Sequence, residues 1–390
     1  MPHTALFEDT AIAFGMKSDR ELQRARLLFQ VMSYPGLVRA GKVITNLALQ
    51  LRLPINWAVK PTIYKHFVGG ETIEACEPYV RRLEQYGVKA ILDYSVEGSE
   101  DGRHARMVLE EVLRSIQHAA TDENVPFAVF KPTAFAPPAV LEKISQGKTL
   151  SEKEVHIKQQ FEDYVDTLCK AAAAVHLPIL IDAEDSWYQD YLDEVVTSMM
   201  LKYNLEQAIV FNTLQMYRHD RLAYLKRAHQ AAVEGGYYYG VKFVRGAYME
   251  KERKRAAERG YPDPIQPDKA ATDRDYDDAL RYTMDHIENI SIFNGTHNEA
   301  SSALLAELID QKGLARDDKR IWFAQLYGMS DHISFNLAHE GYNVAKYMPY
   351  GPVKSVMPYL IRRAEENTSI AGQTGRELSL IRKEVLRRHA

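Results

Sequence analysis

Eight short runs of β-branched and aromatic residues punctuate the chain from residue 88 onward: 88–95, 126–132, 178–183, 208–214, 238–244, 290–295, 320–326 and 343–348. Between them apolar positions recur at three- and four-residue spacing, as in 103–119, 157–175, 188–203, 222–234 and 276–288. That is the period of a helix with one buried face. Alternation of this kind predicts parallel βαβ units, and eight of them predict a closed (β/α)8 TIM-like barrel, an α/β fold. A doubly wound open sheet uses the same alternation and stays the structural alternative. The seventh interval is short, so its helix near 332–339 has only about two or three turns. Residues 1–87 read as an N-terminal helical segment, with helices at 19–31, 38–50 and 72–86 packing on a barrel that occupies 88–390. A C-terminal helix over 356–368 completes the pattern. The loop 260–267 is long and Pro-rich, a candidate for covering a ligand, although Pro-rich loops are usually plain connectors.

Composition narrows the function class. The 390 residues carry a formal net charge of −4 with no dominant Lys/Arg block, so nothing pushes the chain toward nucleic acid. Cys76 and Cys169 lie far apart and lack partners at metal-ligand spacing, which argues for a reducing compartment and against a disulfide framework or zinc site. Residues 1–20 contain Glu8, Asp9 and Asp19 and no apolar run of signal-peptide length. They are not Arg-rich and acid-poor as a transit peptide is. No transmembrane segment is expected, since no stretch approaches the ~18 apolar residues a span needs. A soluble cytoplasmic protein is the expectation. Peripheral contact at the inner face of a membrane stays open, although no lipid-anchoring helix stands out.

In a barrel of this type the chemistry sits at the C-terminal strand ends. Here those ends are polar on seven strands: Lys131; Asp182 to Asp185; Gln215 and Tyr217; Lys242 with Arg245, Gly246, Ala247 and Tyr248; Thr296, His297 and Asn298; Gln325 and Tyr327; Tyr347. Each alone fits a cap or a turn. Their recurrence points to a ligand envelope. Tyr359, Arg362, Arg363 and Glu366 fall on one helical face at i, i+3, i+4 and i+7. Two guanidinium forks there suit a small carboxylate, and the same spacing also fits a solvated face with weak ion pairs. His297 has no second ligand at metal spacing, so a hydrogen-bonding role is favoured and no metal is expected. No phosphate-binding glycine fingerprint and no Gly-x-Ser-x-Gly elbow occur. A large, polar, anionic cofactor fits the basic and amide groups better than hydrolytic chemistry does.

The chain resembles the single-function proline dehydrogenases of the eukaryotic type, which are FAD enzymes on a distorted (β/α)8 barrel. The motifs that carry the resemblance are Phe130-Lys-Pro-Thr133, Ile181-Asp-Ala-Glu184, Lys242-Phe-Val-Arg-Gly-Ala-Tyr248, Thr296-His-Asn298, Gln325-Leu-Tyr-Gly-Met329, Tyr347-Met-Pro-Tyr-Gly351 and Tyr359-Leu-Ile-Arg-Arg-Ala-Glu-Glu-Asn367. The resemblance implies that Arg362 and Arg363 pair with the proline carboxylate, supported by Lys131. It implies that Glu366 orients the arginines and that Tyr347 and Tyr359 wall the ring. It places Asp182 between substrate and flavin, Gln215 on the isoalloxazine and Lys242 near its N5. Arg245 goes to the pyrophosphate, and Gly246, Ala247, Tyr248, Thr296, His297, Asn298 and Gln325 to the rest of the FAD envelope. Met249 departs from the tryptophan found there in bifunctional relatives. The implied reaction is oxidation of L-proline to 1-pyrroline-5-carboxylate, with electrons passing from FAD to a quinone-type acceptor. Relatives that prefer hydroxyproline carry a small residue where this chain has Tyr347. A hydroxyproline dehydrogenase, a flavin-dependent folate reductase and a non-catalytic carboxylate-binding protein are the competing readings.

Overall fold

The structure is a computed structural model, and it describes residues 6–51, 55–96, 102–369 and 373–389. Its eight strands are β1 (Lys89–Tyr94), β2 (Ala128–Phe130), β3 (Ile179–Ile181), β4 (Val210–Gln215), β5 (Tyr239–Val244), β6 (Ile290–Gly295), β7 (Ile321–Leu326) and β8 (Val344–Tyr350). Every expected run holds one strand. The sheet order is β1-β8-β7-β6-β5-β4-β3-β2. This is the parallel (β/α)8 barrel, and the doubly wound alternative is gone. The helices are α1 (Thr10–Phe14), α2 (Asp19–Met32), α3 (Pro35–Gln50), α4 (Ile73–Glu84), α5 (Gly102–Ala119), α6 (Pro138–Ser145), α7 (Glu152–Ala174), α8 (Gln189–Tyr203), α9 (Arg221–Gly235), α10 (Met249–Arg259), α11 (Lys269–Asp285), α12 (Glu299–Gln311), α13 (Asp331–His339), α14 (Val353–Ser369) and α15 (Gln373–His389), besides short helical turns.

Two compact units emerge. The central unit, residues 98–323, holds β2 to β6. Every residue of β4 is buried, the pattern of a parallel strand covered on both faces. The Phe127 ring meets Phe211, Phe293 and Trp322 at centroid distances of 5.7, 5.1 and 5.3 Å, and these edge-on contacts fill the barrel interior with side chains. Its helices start where the chain supplies caps: Ser151 and Glu154 form a capping box at α7, and Asp268 caps α11 through the Ala271 N–H. α10 has no apolar stripe to announce it. It is held by Glu252, whose carboxylate accepts from the Ser186 amide and hydroxyl at 2.7 and 2.5 Å.

The terminal unit combines residues 1–97 with 324–390. There β1 and β8 pair in parallel, from Lys89 opposite Ala345 to Tyr94 opposite Tyr350. Phe14, Leu22, Ala25 and Phe29 of α1 and α2 bury against Leu378, Leu380 and Ile381 of α15. A second cluster seats Val356, Met357, Tyr359 and Leu360 of α14 on Met32, Tyr64 and Phe67. A buried carboxylate, Asp331, is held by Lys17 at 2.5 Å and Lys346 at 2.8 Å. Burial alone would raise its pKa; the two ammonium groups outweigh that and hold the carboxyl far below its usual range.

Candidate active site

In the central unit the strand ends bring three of the expected residues together. Asp182, just past β3, accepts from the Lys242 ammonium of β5 at 2.6 Å, and the Lys131 ammonium beyond β2 stands 3.8 Å from its other oxygen. One carboxylate thus meets two cations. Beside it Glu184 accepts from both the amide and the hydroxyl of Thr133, at 3.0 and 2.7 Å, tying the loop after β3 to the loop after β2. Loss of hydration pushes its pKa up to about 7, against the pull of Thr133 and Lys131. Neither Glu184 nor Thr133 was given a role from the sequence. Each lies two residues past an expected site residue, and both stand inside the quoted motifs.

Arg245 and Thr296 also meet. The guanidinium donates to Asp273 at 2.9 and 2.7 Å, to Ser301 at 3.0 Å and to the Thr296 hydroxyl at 2.6 Å, over the Tyr276 ring. These bonds fix the fork in one orientation at the N-terminal end of α12. Asp273 and Ser301 escaped the sequence reading because both sit on helices, outside any strand end. Asn298 takes a structural part as well: it caps α12, its side-chain oxygen accepting from the Ser301 N–H at 3.1 Å. His297 follows Thr296 and is half-buried.

Gly246 has φ +120°, and a Cβ there would meet the Tyr217 ring at 2.6 Å. The glycine therefore makes room for Tyr217, which hydrogen-bonds from its amide to the Arg245 carbonyl at 2.8 Å. Ala247 is exposed and Tyr248, at the start of α10, half-buried. Gln215 ends β4 with its side-chain carbonyl oxygen buried and without a hydrogen-bond partner among the described residues. The candidate ligand-covering loop, 260–267, is tied down: the Gln266 amide donates to the Tyr217 carbonyl at 2.7 Å and the His219 amide to the Pro264 carbonyl at 3.1 Å.

The terminal unit holds the others. Tyr359 and Arg363 share one face of α14; Arg363 is 8% exposed, with its guanidinium 5.1 Å from the Tyr359 ring centroid. Arg362 is half-buried. The side chain of Glu366 lies outside the described residues. Tyr347 is buried in β8, and its carbonyl accepts from the Tyr327 amide at 2.8 Å. Gln325, at the end of β7, accepts from the Ser334 hydroxyl at 2.7 Å.

The model of a family described as proline dehydrogenase matches residues 76–376. The carbapenem antibiotics biosynthesis protein CarD of Pectobacterium carotovorum subsp. carotovorum is 34% identical over 323 residues, 83% of each chain. A mitochondrial proline dehydrogenase 1 of Dictyostelium discoideum is 31% identical across 97% of this chain and 74% of its own. A hydroxyproline dehydrogenase of Xenopus laevis is 32% identical across 98% and 90%. Among solved structures, proline utilization A from Bdellovibrio bacteriovorus, inactivated by N-propargylglycine, superposes with a TM-score of 0.72 at 20% identity. The match covers 94% of this chain and 39% of that one, and at this identity it shows the fold. The expected cytoplasmic location is overturned by the Dictyostelium relative and by proline dehydrogenases of Arabidopsis thaliana and Homo sapiens, all three named as mitochondrial. Two thiols and a mixed-charge surface suit any reducing compartment, so they could not tell one from another.

Proposed function

Because the chain belongs to the proline dehydrogenase family and is an oxidoreductase acting on proline, we propose that it oxidises L-proline to 1-pyrroline-5-carboxylate with bound FAD and passes the electrons to a quinone, in the mitochondrial setting its relatives' names indicate. The observation that carries the substrate side is the buried guanidinium of Arg363. A desolvated fork grips a carboxylate far more strongly than an exposed one. Arg362 and Arg363 bind and orient the carboxylate, and their positive charge also favours the neutral amine of the ring over the ammonium. Tyr359, stacked against Arg363, and Tyr347 wall the ring.

The residues of the central unit fit a flavin. The orphaned Gln215 oxygen calls for an N–H donor, which an isoalloxazine has. Arg245 and the amides at the start of α12 suit a pyrophosphate. Lys131 and Lys242 bring two cations to the Asp182 carboxylate, while Gly246, Ala247, Tyr248, Thr296, His297 and Asn298 complete the envelope on this unit. When bound, FAD supplies the hydride acceptor. For the quinone, the terminal unit offers a cavity of about 420 Å³ whose wall joins Leu27, Leu28 and Val31 to the charged Arg24, Lys65 and Arg82.

The similarity to hydroxyproline dehydrogenase supports a second reading, in which the substrate is the 4-hydroxylated ring. Tyr347 favours L-proline, since its phenol competes for the space of that hydroxyl. Anaerobic L-proline should bleach the flavin absorbance of the purified protein, and a soluble quinone should restore it. Equal efficiency with trans-4-hydroxyproline refutes the choice of substrate, and an absence of bleaching refutes the reaction.

A further inference from the structure

Tyr327 follows β7 in one of the polar strand ends, and neither the proline nor the flavin assignment gives it a part. It is buried and lines the cavity of the terminal unit, whose volume of about 420 Å³ lies in the usual range for a small-molecule site. The Tyr79 ring meets it edge-on at a centroid distance of 6.1 Å and lines the same cavity. Neither phenol hydroxyl makes a hydrogen bond among the described residues. Burial pushes the Tyr327 pKa up, so its hydroxyl keeps its proton and remains a donor. A buried phenol normally has a partner for that proton. His66, also on the cavity wall, offers the complement. Its Nε2 lies 2.8 Å from the Gly328 carbonyl, which can only accept, so Nε2 carries the ring proton and Nδ1 is an acceptor. Burial, reinforced by the charge of Lys17, lowers the His66 pKa to about 4, and the ring stays neutral near neutral pH.

We propose that this cavity recognises the head group of the quinone, with the Tyr327 and Tyr79 hydroxyls donating to a ring carbonyl and the aliphatic tail lying along Leu27, Leu28 and Val31. The inference rests on the reading of a quinone as electron acceptor and adds to it the groups that select the ring. A quinone carbonyl only accepts a hydrogen bond. Reduction by the flavin, with protons taken from water, turns it into a hydroxyl that also donates, and His66 Nδ1 is placed on the wall to accept. The phenol bonds strengthen as the ring oxygen gains negative charge, so they favour the arrival of electrons. The wall's cations do not argue for an acid instead. Arg82 already holds Glu21 at 2.7 Å, and Lys17 and Lys346 hold Asp331. Arg24 and Lys65 are exposed, where pairing with a carboxylate is worth little.

The test is the oxidative half-reaction of the full-length holoprotein: proline reduces the flavin anaerobically, decylubiquinone is mixed in, and the returning absorbance is followed. Tyr327→Phe removes one hydroxyl and keeps the ring against Tyr79. It should lower the second-order rate of reoxidation by about fivefold, and Y79F/Y327F by about twentyfold. Calorimetric binding of decylubiquinone to the oxidised holoprotein, without proline, should weaken by similar factors. Bleaching by proline and reoxidation by ferricenium should keep their wild-type rates, because no group assigned to proline or flavin is altered, and this also shows that the variants are folded. Wild-type protein that neither binds nor reduces decylubiquinone defeats the quinone reading and the inference together. Reduction that both variants leave unchanged keeps the quinone reading and overturns the site. An equal loss with ferricenium makes the tyrosines structural and overturns it as well. Decanoate binding that Y327F weakens, with quinone binding unmoved, gives the cavity to an acid and overturns the proposal.

Discussion

Replacing Arg363 by Met removes a guanidinium while keeping most of its apolar bulk. The size of the effect follows from the site's exposure. Two unit charges about 4 Å apart interact by roughly 1 kcal/mol in water and roughly 4 kcal/mol at an effective dielectric near 20. At 8% exposure Arg363 belongs to the second case. Loss of its contact to the substrate carboxylate should therefore cost about 2–4 kcal/mol in kcat/KM, a fall of roughly 30- to 900-fold. Arg363→Lys keeps the charge but loses the fork, and should recover only part of that. The assay is steady-state proline oxidation with a soluble acceptor, with FAD content and melting temperature as controls that should stay near wild type. A loss of less than about threefold, under ~0.7 kcal/mol, with FAD retained, refutes the reasoning and makes the helix face an ordinary ion-pair surface.

Other outcomes follow from the same geometry. Gly246→Ala forces a Cβ into the Tyr217 ring at a backbone angle that L-residues avoid, so a destabilisation of roughly 2–4 kcal/mol is expected in urea melts; a change under about 0.5 kcal/mol contradicts the packing. Glu184, its carboxyl pushed up to about 7 from 4.5, keeps in the folded state a proton that the unfolded chain releases. Its contribution is present below pH 4.5 and is lost as pH rises through 7. Glu184→Gln should thus gain on the wild type by roughly 2 °C or more in melting temperature between pH 5 and pH 8, and a difference independent of pH rejects the assignment. Tyr347→Ser should weaken proline turnover and narrow a preference over trans-4-hydroxyproline that is roughly 10²-fold or less in the wild type; an unchanged ratio of kcat/KM values removes Tyr347 from specificity.

The sequence by itself determined the order of elements. Each of the eight β-branched runs became a strand because period-two and continuous apolar runs bury only in a sheet, and the intervening three-to-four spacing buries only as helix. It also determined where polar groups gather, since the ends of parallel barrel strands share one rim. Pairing was beyond it. That Asp182 binds Lys242, 60 residues away, and that Arg245 is locked by Asp273 and Ser301, depends on which helices stand beside which strands. The Tyr217 ring against Gly246, where a Cβ would meet it at 2.6 Å, is a contact set by side-chain packing and invisible in the sequence. Burial was equally hidden. Tyr359, Arg362 and Arg363 have the spacing of a solvated helix face, and only the packing of α14 on its apolar cluster takes Arg363 out of water. The reverse holds for α3, whose apolar face looked like core material until the structure left it bare. A sequence states which side chains need cover, and tertiary structure decides which of them receive it from the same chain.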